Sequence, residues 1–214
     1  MPEDGTARFA GYDVLAKHDT LSWNDKTREV IDARLGLDIP SAMLGERRAA
    51  TLAYLVQRIC PDPANRPPTT TAALVARKIV ENEGDGFRHH KLPPVKEAWE
   101  RGLDAIEAEA QAVFRKQFTQ LEPDSADDLL RAVSKGETRA VQWTGLPPKL
   151  FWTYRLIPDC VSAHWAQPQA WSAMGFGGPA SPRGYVRLKA NRRDPWEAEE
   201  EGSHHTGLPR HRAN

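Results

Sequence analysis

Cysteine is almost missing from this chain: Cys60 and Cys160 are the two among 214 residues. With no Cys-x-x-Cys pair, the zinc spacings, haem-c attachment and dithiol redox motifs are excluded. A Cys60–Cys160 disulfide or a thiol facing a partner stays open, beside the simpler reading of two buried free thiols. Net charge is missing too, since 29 basic residues offset 29 acidic ones. That balance leaves no electrostatic footprint for nucleic acid or an anionic membrane. No run of about 18 apolar residues exists, so no membrane-spanning helix is encoded. The opening Met1-Pro-Glu-Asp-Gly-Thr6 is acidic and lacks the apolar stretch of a secretory leader. Arg47-Arg48 precedes an apolar stretch in the manner of a twin-arginine signal, but Gln57-Arg58 cut that stretch short and it reads as a helix. The expectation is a chain with no export signal of its own, cytoplasmic unless it is carried out with a partner or starts from another codon.

Motifs for cofactors and catalysis are also lacking. Gly175-Phe-Gly-Gly-Pro-Ala180 fits the loose G-x-G-x-x-A dinucleotide string, yet no apolar strand precedes it, and Pro179 and Pro182 forbid the helix that must follow. There is no Walker A sequence. The seven histidines include the pairs His89-His90 and His204-His205, with His18, His164 and His211 alone. Adjacent histidines diverge on regular structure, and no His-Glu-x-x-His places two on one helix face. Ser162 lies two residues before His164, a spacing that does not bring helix neighbours face to face. Catalytic, cofactor-binding and metal-binding residues are therefore expected to be absent from this chain.

What the chain does have is helical periodicity. Leu, Ile, Val and Phe make up 41 of 214 residues, a thin core supply that 28 Ala and seven Trp supplement. Asn24 or Asp25 can cap a helix carrying Val30, Ile31 and Leu35 and ending near Gly36. A second runs from about Gly45 with Ala49, Leu52, Leu55, Val56 and Ile59 inward, until the prolines from Pro61 to Pro68 stop it. Thr71–Glu83 forms a third. The longest follows Pro94, with Val95, Trp99, Leu103, Ile106, Ala110, Val113 and Phe114 inward; Lys96, Glu97, Glu100, Arg101, Asp104, Glu107 and Glu109 form a solvated outer stripe. Asp124 or Ser125 caps a fifth helix, which carries Leu129, Leu130 and Val133. After Pro147-Pro148 a sixth carries Leu150, Phe151, Tyr154, Ile157, Val161 and Trp165 as the heaviest buried stripe, with Pro158 interrupting it. Neither strand alternation nor an internal repeat is visible. The fold class is all-α, a compact domain of about six helices with an extended C-terminal arm.

The arm is the most distinctive stretch. Gly175–Arg187 and Asn191–Trp196 concentrate glycine, proline, aromatic residues and arginine, which suits an extended segment laid on another surface. Phe176, Arg183, Tyr185, Arg187 and Trp196 are the expected partner-interface anchors. The glycines free the turns, and Pro179 and Pro182 lower the entropy lost on ordering. An intramolecular alternative has the arm folding back over the aromatic stripe of the Pro147–Trp165 helix. The organisation is thus an irregular lead-in at 1–22 with Phe9, Tyr12 and Trp23, a helical domain at 23–168, the partner-binding arm at 169–198, with at most a turn at Trp171–Met174, and a polar, disordered tail at 199–214.

Several blocks resemble the gluconate 2-dehydrogenase subunit 3 family. They are Gly11–Thr20 with Ser22-Trp-Asn24, Thr27–Arg34, Gly84-Asp-Gly-Phe-Arg88 with Leu92-Pro-Pro94, Gly145–Phe151 and the arm at Gly175–Trp196. The resemblance implies a small, non-catalytic accessory subunit of a membrane-associated sugar or gluconate dehydrogenase complex. Its implied partner is a large FAD-bearing flavoprotein of the glucose–methanol–choline oxidoreductase type, often with a multihaem cytochrome c subunit. FAD and haem c would then sit on the partners, and this chain would assist assembly, maturation or stability of the flavoprotein. A transient assembly chaperone, or a helical domain with an unidentified sugar-related activity of its own, are the alternatives.

Overall fold

The structure is a computed structural model and describes residues 8–181, 184–187, 189 and 192–199. The described residues are helical, with no strand among them. The six helices expected from periodicity are α1 (Asp25–Leu35), α3 (Glu46–Ile59), α4 (Thr71–Val80), α5 (Val95–Phe114), α6 (Pro123–Lys135) and a continuous rod. The rod is built from α7 (Pro148–Phe151), a π-helical turn (Trp152–Leu156) and α8 (Ile157–Trp165). Two short helices come in addition, α2 (Ser41–Leu44) and α9 (Pro168–Met174). Local signals set most ends. Asn24 caps α1 by accepting from the Thr27 amide at 2.9 Å. Pro123, in the first turn, starts α6 ahead of the expected Asp124 or Ser125 cap. α9 stands where the sequence suggests only a turn: Pro168 presets its first turn and Gly175, in the left-handed region, closes it.

The main core gathers around α5, which packs against α3, α4, α7 and the π turn. Trp99 meets Phe151 edge to face at 5.4 Å between ring centroids. That approach depends on Gly102, where a Cβ would lie 2.6 Å from Cε2 of Phe151. Leu52, Leu55, Ile79, Leu103, Ile106, Leu146 and Leu156 complete the interior.

Two stripes differ from the simple periodic reading. Along the rod, Phe151 is buried as expected, but Val161 and Trp165 face outward while Leu156, Asp159, Cys160 and His164 face inward. The π turn is the cause. The Ile157 amide bonds to the Trp152 carbonyl, five residues back, so the buried face passes from Phe151 to Leu156 and on to Cys160, one residue out of the expected phase. Pro158 has no N–H for the Tyr154 carbonyl four residues earlier, and the Arg155 guanidinium donates to that oxygen.

On α5 the outer carboxylates are not merely solvated. Glu109 is 2% exposed; it accepts from the Arg139 amide at 2.9 Å and the Ala140 amide at 2.9 Å. Glu107 accepts from the Phe118 amide and the Thr51 hydroxyl, and Asp104 accepts a two-pronged bond from Arg48 at 3.0 and 2.6 Å. Irregular segments beside a helix have amides with no ladder to join, and Glu107 and Glu109 supply the acceptors. Val30 and Val113, placed inward by the same periodic reading, are also outward.

A second, smaller core joins the N-terminal segment to α9. Tyr12, Val14, Trp23, Ile31 and Trp171 form it, with Phe9, Leu15, Leu35 and Ala198 packed at its edges. The lead-in is not wholly irregular: Asp13 caps a 3₁₀ turn at Val14–Lys17. Burial pushes the Tyr12 phenol up to about 12.

Candidate functional site

The arm leaves α9 at Gly175 and turns back over the N-terminal segment. Lys17 Nζ donates to the carbonyls of Gly177 at 2.5 Å and Pro179 at 3.3 Å. Trp23 Nε1 donates to the Pro179 carbonyl at 2.7 Å, and the Asn24 amide donates to the Ser181 carbonyl at 2.9 Å. Gly178 (φ +64°) makes the turn possible, since a Cβ there would press on Trp171 and Val14 at 3.1 Å. Beneath it, Arg66 donates to the carbonyls of Phe9, Tyr12 and Ser172 at 2.6, 2.7 and 3.3 Å. The arm's root is therefore intramolecular. Its floor is the lead-in and α9, not the stripe of the α7–α8 rod as the intramolecular alternative held.

Beyond the root the expected anchors separate. Phe176 is half-exposed, its ring edge to face with Trp171 at 6.1 Å. Tyr185 and Val186 are each 73% exposed, and the Tyr185 hydroxyl donates to the Gly178 carbonyl at 3.2 Å. Arg187 pairs with Glu197 at 2.9 Å, which raises the arginine and lowers the carboxyl relative to their ordinary values through the shared hydrogen bond. Trp196 lies half-buried along a cleft with Tyr12 and Asp13. Arg183 and the tail beyond Glu199 lie outside the described residues.

A second feature stands on α4, α8 and the loop after α4. Asp159 is buried; it accepts from Trp99 Nε1 at 2.7 Å and from Lys78 Nζ at 2.9 Å. Lys78 also reaches Asp85 at 2.5 Å, and Arg155 reaches Asp85 at 2.8 Å. Burial alone would push the Asp85 carboxyl up, but its bonds to Lys78 and Arg155 outweigh that and hold it below the usual range. This network latches the Gly84-Asp-Gly-Phe-Arg88 loop to the core, and the loop presents Phe87 outward beside Tyr154, whose ring also meets His89. His89 and His90 stack at 4.7 Å between centroids. Adjacent histidines diverge on a regular element, and this turn is not one.

The sequence reading missed Lys78, Asp85, Arg155 and Asp159. One signal was available: Arg155 and Asp159 stand four apart on the helix with the most apolar face, where charges need partners. Among the other candidates, His164 is buried with Nδ1 at 3.4 Å from the Thr71 hydroxyl, and burial lowers its basicity. Cys60 and Cys160 are buried free thiols, both pushed up by burial. No cluster of three metal-ligating side chains occurs among the described residues. No described helix is long and apolar enough to cross a membrane.

Comparison with known proteins adds the family. The model for gluconate 2-dehydrogenase subunit 3 matches residues 46–178, more than half of the chain. No curated protein and no solved structure matches it. The matched stretch begins with α3 and ends at Gly178, so it takes in the main core, the latched loop, α9 and the start of the arm's root. The blocks at 11–34 and the arm beyond Gly178 fall outside it. This chain belongs to the gluconate 2-dehydrogenase subunit 3 family.

Proposed function

We propose that this chain is a non-catalytic accessory subunit of an FAD-dependent sugar or gluconate dehydrogenase complex, and that it binds the flavoprotein subunit through its C-terminal arm. Family membership makes a role within a dehydrogenase complex the natural starting point. The observation that carries the reading is the contrast along the arm. Its root is clamped by Lys17, Trp23 and Asn24, while Tyr185 and Val186 beyond it stand exposed. A fixed base with an exposed aromatic tip lowers the ordering entropy lost on docking. Phe176, Arg183, Tyr185, Arg187 and Trp196 are the anchors in this reading, the residue types whose truncation costs interfaces most. FAD, and haem c where a cytochrome subunit is present, reside on the partners, and this chain stabilises the flavoprotein during or after assembly.

The test is recovery of flavin with the tagged chain from its native cell. Tyr185→Ala combined with Trp196→Ala is expected to lower flavin recovery by roughly tenfold or more, since each such anchor is worth about 2 kcal/mol. Unchanged recovery would remove the anchor assignment.

A further inference from the structure

Away from the arm, a cleft of about 930 Å³ opens between the C-terminal half of α5, the start of α3 and the segment around residues 139–142. Arg47, Arg115 and Arg139 line it, with Asp104, Glu107 and Val141. The two carboxylates are already committed, Asp104 to Arg48 and Arg47, and Glu107 to the Phe118 amide and the Thr51 hydroxyl. Arg115 and Arg139 differ: neither guanidinium has a hydrogen bond or ion pair among the described residues.

The backbone beneath both arginines is built with some care. Arg139 stands where buried Glu109 fixes the amides of Arg139 and Ala140. Arg115 closes α5 in the left-handed region (φ +58°), a conformation uncommon for a side-chain-bearing residue. A position at a helix C-terminus suits a cation and accounts for Arg115 alone. It gives no account of Arg139, or of Val141 on the same wall at 75% exposure. Arginine is enriched at protein interfaces, and Val141 adds an exposed apolar surface beside the two arginines.

We infer that this cleft is a docking site for an acidic polypeptide segment of a partner, its carboxylates held by Arg115 and Arg139 and its apolar flank resting on Val141. The inference rests on the reading of this chain as a subunit that docks on a partner, and it assigns a contact separate from the arm. A polypeptide fits better than a small anion. The lining residues Gln111, Arg115, Gln117, Arg139 and Gln142 are exposed, so a small ligand would keep most of its water. A protein segment brings its own flanking structure to cover the open side. Arginine is also the cation that grips carboxylates with two parallel bonds.

The experiment uses the full purified chain and a fluorescein-labelled oligoglutamate peptide, read by fluorescence anisotropy at low salt, so it needs no flavoprotein. Binding is expected to weaken roughly tenfold in Arg115→Asn/Arg139→Gln, as two exposed ion pairs together imply. Asparagine tolerates the left-handed conformation, and circular dichroism verifies that the variant folds. Arg131→Gln/Lys135→Gln on α6, outside the cleft, removes the same two positive charges and should leave binding unchanged. Three outcomes overturn the proposal: no binding to the natural chain, equal weakening in the control, or complete displacement of the peptide by low-millimolar free glutamate, which would make the cleft a small-anion site. Peptide binding fails independently of the arm, so a negative result here leaves the flavin-recovery test standing.

Discussion

The two cores of this chain are held by different means. In the main core, regular helices satisfy their own backbone groups, so apolar side chains such as Trp99, Leu103, Ile106 and Phe151 decide the packing. In the small core the chain is irregular, and its carbonyls are met by long side chains from elsewhere. Arg66 serves Phe9, Tyr12 and Ser172; Lys17 serves Gly177 and Pro179; Trp23 serves Pro179; Arg28 serves His18 and Thr20. Where secondary structure ends, hydrogen bonding passes from backbone to side chains, and single donors acquire the weight that whole helix faces carry elsewhere.

That contrast can be broken at either end. Phe151→Ala should have the largest effect, a loss of about 3–5 kcal/mol in urea unfolding, because it empties a site that Gly102, Trp99 and Trp143 enclose. Asp159→Ala should follow at about 3 kcal/mol, since it strips a buried acceptor from Lys78 and Trp99. Arg66→Met should cost about 1–3 kcal/mol and act locally. Amide exchange should quicken in residues 9–23 and 172–181 while α3 and α5 keep their protection. If α5 loosens equally, the two cores are one cooperative unit and the contrast is wrong.

The smallest effect concerns pH. Asp85 titrates below its ordinary range in the folded chain, so its latch is present above the unfolded carboxyl value of about 4 and is lost as pH falls through the lower folded value. Amide exchange across residues 84–91 should rise on acidification through that window, and Asp85→Asn should remove the dependence while leaving the loop looser at neutral pH.

The sequence made the six main helices legible because three- and four-residue spacing of Leu, Ile, Val and Trp directly reports a buried face. It misled where a local event changed phase or reach. Nothing in Trp152–Leu156 announces a π turn, so Val161 and Trp165 look buried and are not. Glu107 and Glu109 look like solvent-facing charges because periodicity records direction and ignores the unladdered amides at Phe118, Arg139 and Ala140. α9 is too short to show periodicity at all. The irregular course of the chain after Gly175 is legible from its glycines and prolines, yet its clamp is not, because Lys17 and Trp23 lie more than 150 residues away in sequence.

The most direct test of the accessory-subunit account is purification of the tagged full chain from its native cell, with flavin absorbance and subunit masses measured on the eluate. The account predicts a flavoprotein in fixed proportion, carrying dye-reducing sugar or gluconate dehydrogenase activity that the isolated chain lacks. A colourless chain recovered alone, or turnover by the chain without flavin, would contradict it.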